Sequence, residues 1–147
     1  MKTLENKQES QRVNHSAFKL WQGIFYKARK ALRQEKWNKA VYLYSAASDA
    51  AENLLRLKNP QGVNQYIRTN IEYIYALRKD KQDTNLNHIV AYFRTQLMHS
   101  TQCQSGGKPL GQLMTPFYDM SIASEEEIDH WVESIWALEE SHSATKH

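Results

Sequence analysis

The chain has 147 residues, enough for one domain with a substantial core, and its 41% apolar and 24% charged residues are ordinary for a globular protein. Five glycines and three prolines, against eight tyrosines and four tryptophans, favour helices over a turn-rich β fold. The apolar runs are far shorter than the roughly 18 residues that cross a bilayer, the polar N-terminus carries no secretory signal, and the single cysteine, Cys103, excludes an internal disulfide. These features predict a cytoplasmic protein without a membrane partner.

The charge is distributed unevenly along the chain. Residues 1–100 hold 17 Lys and Arg against 8 Asp and Glu, whereas residues 101–147 hold 2 against 8. Basic residues are densest over 19–39, where seven of them accompany a single acidic residue, Glu35. Such a split is typical of proteins that bind acidic partners and of chains whose two halves attract each other, and it also arises from solvated helix faces.

The first half of the chain predicts a hairpin of two antiparallel helices. Residues 1–15 show no apolar periodicity and are predicted to be flexible. From Ser16, a suitable cap, apolar residues recur at the three- and four-residue spacing of an amphipathic helix. The short turn 34–36 returns the chain into a second helix over residues 37–58, which ends before Pro60.

The middle of the chain predicts two more helices. A third covers approximately residues 61–78, and the charged turn 79–83 separates it from a fourth. Thr84 or Asn85 can cap the fourth helix. The apolar periodicity is lost over residues 100–117, which contain two adjacent glycines and two prolines and are predicted to be a loop.

A capping box predicts the start of a fifth helix. The Ser124 hydroxyl can accept one free backbone amide, and the Glu127 carboxylate can accept another. The helix is predicted over residues 125–140, followed by a loose tail over 141–147. The sequence therefore predicts one all-α domain over residues 16–140 with flexible ends.

Within residues 21–54, small and large side chains occupy the positions where two packed helices would touch. They are Trp21, Ile24, Ala28 and Ala31 in the first helix, and Trp37, Ala40, Tyr44 and Ala47 in the second. This pattern resembles a tetratricopeptide repeat, a helix–turn–helix unit of about 34 residues. Residues 65–97 resemble a second copy that departs from the pattern: Glu72 stands where a small residue is usual, Ile89 replaces an alanine, and the turn is longer. The chain is also similar to short bacterial tetratricopeptide-like proteins.

The resemblance implies two antiparallel tetratricopeptide-like hairpins in a right-handed α-α superhelix. A single hairpin cannot bury its own apolar face, so such modules need about three units and a cap. The fifth predicted helix, residues 125–140, would be that cap. It is predicted either to cover the binding groove of its own chain or to contact a second chain in a homodimer.

The resemblance also implies a binding surface. In this family the first helices of the repeats line a concave groove that holds an extended peptide or a partner helix. Matched residue by residue, the groove presents Gln22, Phe25, Tyr26, Arg29 and Arg33 from the first copy and Tyr66, Thr69, Asn70 and Tyr73 from the second. The seven candidate binding residues among them are Gln22, Tyr26, Arg29, Arg33, Tyr66, Asn70 and Tyr73. Asn70 can bind a peptide backbone through both its donor and its acceptor, and Arg29 with Arg33 can bind a carboxylate as a fork. The alternative is that Tyr66 and Phe25 belong to the core and the arginines to a solvated face.

The sequence shows no constellation typical of an enzyme or a metal site. His88 and His99, eleven residues apart on one predicted helix, are separated by about 16 Å, too far to share an ion. His99 with Cys103 supplies only two ligands, and Cys103 has no orienting motif that would make it a nucleophile. The run 105–108 lacks the spacing of a phosphate-binding loop. We therefore predict no catalysis, no cofactor and no metal.

The predicted function is protein–protein interaction, as an adaptor or a small chaperone-like binder of a protein or peptide, including an acidic one. The alternative is nucleic-acid binding through residues 19–39, where basic side chains alternate with aromatic ones such as Trp21 and Phe25. The acidic fifth helix would repel a phosphate backbone. Steep salt dependence would distinguish nucleic-acid binding from groove binding.

Overall fold

The computed structural model describes residues 2–82, 86–102 and 125–144, and over these residues the chain is all-α, as the sequence predicted. Nearly all of them lie in helices, and no described residue lies in a strand. The helices are α1 (Lys2–Arg33), α2 (Trp37–Arg56), α3 (Gly62–Lys79), α4 (Leu86–Gln102) and α5 (Glu125–Ala144). None of these helices is both long and apolar enough to span a membrane.

Helix α1 begins much earlier than the apolar pattern indicated. The sequence predicted a flexible segment over 1–15 and a helix from Ser16, whereas α1 extends back to Lys2. Residues 2–15 contain many Glu, Lys, Gln and Arg and no Gly or Pro, so their intrinsic propensity favours a helix without a buried stripe. From 7 to 16 only Asn14 is even half-buried. Apolar periodicity therefore marks the packed part of α1 and not its whole length.

The later boundaries were predicted more closely. Helix α2 ends at Arg56, two residues before the predicted end, and α3 begins at Gly62, one residue after its predicted start. Helix α5 continues to Ala144, into the predicted tail over 141–147. The remaining local predictions fall on residues that the structure does not describe: the caps Thr84, Asn85 and Ser124, the loop after Gln102, and Cys103.

Helices α1, α2 and α3 end in the same way, at residues with positive φ that are not glycine. These residues are Glu35 (φ 58°), Lys58 (φ 54°) and Lys81 (φ 62°). At the end of α1 the Glu35 amide donates to the Leu32 carbonyl at 3.0 Å, and the Lys36 amide donates to the Ala31 carbonyl at 3.0 Å. Equivalent pairs of hydrogen bonds end α2 and α3. This is the Schellman motif, in which glycine usually takes the positive-φ position.

Most of the core lies among α1, α2 and α3, and α4 and α5 add Leu86, Val90, Phe93, Leu97 and Val132 to it. Helix α2 packs antiparallel to both α1 and α3, and α1 and α3 run parallel on one side of it. Three of the predicted contact alanines, Ala28, Ala40 and Ala47, are fully buried between α1 and α2. Small side chains at these positions allow the two helices to pack closely.

The turn between α2 and α3 depends on a glycine. Gly62 is buried at the first position of α3. A Cβ atom there would lie 3.0 Å from the backbone oxygen of Leu54 and 3.1 Å from its carbonyl carbon. Only a residue without a side chain allows this approach, which places α3 directly against α2.

Helices α4 and α5 pack at opposite edges of α3. On one edge, the Phe93 ring of α4 meets Tyr66 edge to face, with ring centroids 6.0 Å apart. On the other, the Trp136 ring of α5 meets Tyr75 edge to face at 6.0 Å, and Val132 of α5 is buried. Helix α4 runs parallel to α2, and α5 runs antiparallel to α3.

Candidate functional site

A buried ion pair joins α1 to α3. The Arg29 guanidinium donates from Nε to Glu72 Oε1 at 3.1 Å, and its Nη2 binds Glu72 Oε2. The Tyr44 hydroxyl of α2 donates to the same Oε1 at 2.6 Å. All three residues are at most 5% exposed. Three helices are thus tied together at one carboxylate.

The surroundings of this pair are suited to a buried guanidinium. The Arg29 Cζ atom lies 4.7 Å from the centre of the Phe25 ring, which gives a cation–π contact. Burial, and then the negative charge of Glu72, raise the pKa of Tyr44 well above its ordinary value, so its hydroxyl stays a donor. Glu72, the departure from the repeat pattern, is therefore the acceptor at the centre of this network.

Two further buried contacts hold α3 in place. The Trp21 indole Nε1 of α1 donates to Thr69 Oγ1 at 2.8 Å. The Ser48 hydroxyl of α2 donates to Asn70 Oδ1 at 2.6 Å, and Asn70 Nδ2 donates to the Tyr66 carbonyl at 2.9 Å. Both ends of the Asn70 amide are therefore engaged inside the chain.

The structure places the seven predicted groove residues in three different environments. On α1, Gln22 is half-buried, Tyr26 and Arg33 are exposed, and Arg29 is buried against Glu72. On α3, Tyr66 and Asn70 are fully buried, and Tyr73 is half-buried. Of the seven, only Gln22, Tyr26 and Arg33 leave side-chain surface accessible on the α1 side.

The three predicted residues of α3 lie away from α1. Tyr66 and Tyr73 contact Phe93 of α4, with ring centroids 6.0 and 6.1 Å apart, and Asn70 contacts α2. A helix turns by about 100° per residue, so a shift of one residue in the match between the repeats moves a side chain to another face. The side chains of α3 that meet α1 are Arg68, Thr69 and Glu72.

The sequence did not predict the residues on the face of α3 that meets α1 and α5. Arg68 places its Cζ atom 5.0 Å from the centre of the Phe25 ring. Tyr75 and Lys79 continue the same face toward the end of α3, where α5 packs. Together with Glu72 these residues recur at three- and four-residue spacing. That spacing was the available signal.

Helix α5 lies across the ends of α1 and α3. The Arg33 Cζ atom of α1 lies 5.3 Å from the centre of the Trp136 ring, which also packs on Tyr75 of α3. The Lys79 ammonium donates to Asp129 Oδ2 at 2.7 Å, and each of these side chains is 28% exposed. Burial, and then the charge of Asp129, raise the pKa of Tyr75 to about 12. We refer to the surface formed by Arg33, Tyr75 and Lys79 as the α1/α3 face.

A separate cleft of about 300 Å³ opens between α2 and α4. It is lined by Ser45, Ser48, Asp49, Glu52, Tyr73, His88, Ile89, Tyr92 and Phe93. Glu52 is only 9% exposed, and its Oε1 accepts a hydrogen bond of 2.6 Å from the Tyr92 hydroxyl. This bond raises the pKa of Tyr92. We refer to this surface as the α2/α4 cleft.

Within the described part of the chain, no three side chains of His, Cys, Asp or Glu converge as metal ligands. No protein-family model, curated protein or solved structure matches this chain. Function is therefore inferred from the two surfaces.

Proposed function

We propose that this protein is a non-enzymatic interaction module that binds a helix or an extended peptide on the α1/α3 face, as an adaptor or a small chaperone-like binder. In this proposal α1 with α2 and α3 with α4 are two tetratricopeptide-like hairpins, and α5 is the cap. The observation that carries it is the position of α5, which an aromatic anchor and an ion pair hold on that face.

The chemistry of the α5 contact indicates the kind of partner. Trp136 contacts the Arg33 guanidinium of α1 and the Tyr75 ring of α3, and Asp129 pairs with Lys79. Tryptophan anchors next to arginine are common among residues that dominate binding energy. We therefore propose an acidic amphipathic helix with one large aromatic residue as the partner.

The buried network below the face supports this role. A docking surface gains affinity when it needs no rearrangement on binding. The bidentate pair of Arg29 and Glu72 fixes α1 against α3, so Arg33 and Tyr75 stand at a set separation before a partner arrives.

Nucleic-acid binding through residues 19–39 has less support. Trp21 and Phe25, two of the aromatic side chains that would stack on bases, are 2% and 0% exposed. The lysines of the segment are exposed, so the electrostatic contribution remains available. Salt-dependent binding, with base stacking limited to exposed rings such as Tyr26, is what this arrangement predicts for a nucleic acid.

The proposal can be tested with a labelled peptide of residues 125–144. In the full-length variant Trp136→Ala with Asp129→Ala, the resident α5 loses both anchors and the face becomes available. We expect the peptide to bind this variant at least about tenfold more tightly than the unmodified chain, because intramolecular α5 competes in the latter. Fluorescence anisotropy measures both affinities.

A charge reversal provides the control. Lys79→Asp in the same variant should weaken the peptide, and a peptide carrying Asp129→Lys should recover the affinity. Equal affinity for all variants would exclude the α1/α3 face as the binding surface. Tight binding of a labelled single-stranded oligonucleotide that falls steeply with salt, without peptide binding, would favour the nucleic-acid alternative.

A further inference from the structure

The α2/α4 cleft has chemistry that the α1/α3 face does not use. It lies on the other side of α3, and it combines two carboxylates with aromatic rings. Glu52 is nearly buried, and Asp49 is exposed and has no ion-pair partner among the described residues. The cation near Glu52, Arg56, stays at the rim: its Nη2 is 3.5 Å from Glu52 Oε1, and its side chain is 70% exposed.

The cleft repeats part of the buried network around Arg29. In that network a carboxylate accepts a tyrosine hydroxyl at 2.6 Å, and a guanidinium binds the carboxylate while it stacks on an aromatic ring. In the cleft, Glu52 accepts the Tyr92 hydroxyl at the same distance, and the rings of Tyr73 and Phe93 stand beside it. A guanidinium held between carboxylate and ring is what this second arrangement lacks.

The buried Tyr66 hydroxyl belongs to a ring that packs behind the wall of the cleft. Tyr66 is fully buried, and its hydroxyl has no hydrogen-bond partner among the described residues. Its ring meets Phe93, a ring of the cleft wall, at 6.0 Å. Burial, and then the charge of Glu52, raise the pKa of Tyr66. A buried polar group without a partner is expected to meet a ligand or water.

We propose that the α2/α4 cleft binds the guanidinium group of an arginine side chain from a partner peptide. The carboxylates of Asp49 and Glu52 supply acceptors for its N–H donors, and the accessible rings of Tyr73 and Tyr92 supply faces for stacking. An ammonium group has no plane to stack and forms no bidentate pair, so lysine fits this cleft less well. The site is on a different surface from the one that binds α5, and the two proposals can fail separately.

The test is a titration of the ¹⁵N-labelled full-length chain with a capped Ala-Arg-Ala peptide, followed by amide chemical shifts. We expect saturable shifts at the residues of α2 and α4 that line the cleft. The same peptide with citrulline, which has nearly the same shape but no charge, should produce no saturable shifts. The lysine peptide should bind several-fold more weakly than the arginine peptide.

Two substitutions and one control complete the experiment. Glu52→Gln keeps an acceptor for Tyr92 but removes the charge, and Asp49→Asn changes an exposed position that is not part of the core. Each should weaken the arginine peptide by about tenfold or more. Glu126→Gln, an exposed position on α5, should leave the affinity unchanged.

Three results would overturn the proposal. They are equal binding of the citrulline or lysine peptide, shifts confined to the α1/α3 face, and unchanged affinity in both Glu52→Gln and Asp49→Asn. Because Asp49 is exposed, its variant remains informative even if Glu52→Gln does not fold.

Discussion

At the residue scale, the distinctive feature is a charged pair buried between α1 and α3. Arg29 and Glu72 lose their hydration on folding, and their attraction offsets this loss only because the contact is bidentate and Tyr44 completes the shell of Glu72. Such a pair adds less stability than an apolar pair of similar volume would, but it penalises any arrangement that leaves either charge alone. It therefore favours one position of α3 along α1.

Removal of one partner should be far more harmful than removal of both. We expect Glu72→Ala to lower the free energy of unfolding by about 3–5 kcal/mol, because it removes the carboxylate that both the Arg29 guanidinium and the Tyr44 hydroxyl bind in the buried interior. The double variant Arg29→Met with Glu72→Leu should recover most of this loss. Urea denaturation followed by circular dichroism measures both changes.

The control for this cycle is Glu9→Ala, an exposed position of α1, which should change stability by less than about 0.5 kcal/mol. A loss of under about 1 kcal/mol for Glu72→Ala would contradict a large penalty for breaking this buried ion pair. A double variant that is less stable than the single one would contradict the expected recovery.

The sequence predicted some of these positions and not others. Ala28, Ala40 and Ala47 could be found because small residues at helical spacing indicate close packing, and all three are buried. The pairing of Arg29 with Glu72 could not, because the two residues are 43 positions apart and only the register of α3 on α1 brings them together. For the same reason the sequence could not show that Tyr66 and Tyr73 contact Phe93 of α4 and that Asn70 contacts Ser48 of α2.

At the element scale, the helix ends show why boundaries are harder to predict than helices. The signals expected at a helix end are glycine or proline. Helices α1, α2 and α3 are instead each followed, two positions after the last helical residue, by a charged residue with positive φ. These residues are Glu35, Lys58 and Lys81. The α1 hairpin was recognisable because its apolar pattern changes phase at the turn, but nothing in the residue types marks the motif that ends it.

These helix ends offer a route to a more stable chain. An L-residue with a side chain in the left-handed region has a conformational energy about 1–2 kcal/mol above the right-handed one, and glycine avoids this penalty at some loss of entropy. We expect Glu35→Gly, Lys58→Gly and Lys81→Gly each to raise the free energy of unfolding by about 0.5–1 kcal/mol. Thermal and urea denaturation of the single and triple variants check the gains and their additivity.

Lys39→Gly is the matched control, because it makes the same kind of exchange at an exposed position inside α2. It should lower stability by about 1 kcal/mol. If the glycine variants at the three helix ends were destabilised as much as this control, the positive-φ residues would have to make compensating contacts.

At the scale of the whole molecule, the described residues form a tightly packed unit and two attached helices. Helices α1, α2 and α3 share the alanine contacts and the buried network. Helices α4 and α5 contribute fewer buried side chains, and they also contact the unit through aromatic rings and polar bonds. The charge split follows this division, since the basic segment 19–39 belongs to the unit and acidic α5 rests against it. Both proposed binding surfaces lie where an attached helix meets the unit.

This division predicts a hierarchy of local stability. Regions with few buried contacts open without global unfolding, so amide hydrogens of α4, α5 and residues 7–16 should exchange faster than those of α2 and α3. Trp136→Ala should accelerate exchange throughout α5 and leave α2 and α3 unchanged, because it removes the ring that packs against Tyr75 and Arg33. Hydrogen exchange read by mass spectrometry resolves these segments.

The matched control is Tyr42→Ala, which removes an aromatic side chain that is 75% exposed on α2 and should alter exchange in neither α5 nor the core. If α5 exchanged as slowly as α3, or if Trp136→Ala accelerated exchange equally in every helix, the chain would unfold as one cooperative unit. Helix α5 could then not leave the α1/α3 face without global unfolding. A partner helix would have to bind beside it, and competition for the same surface would be excluded.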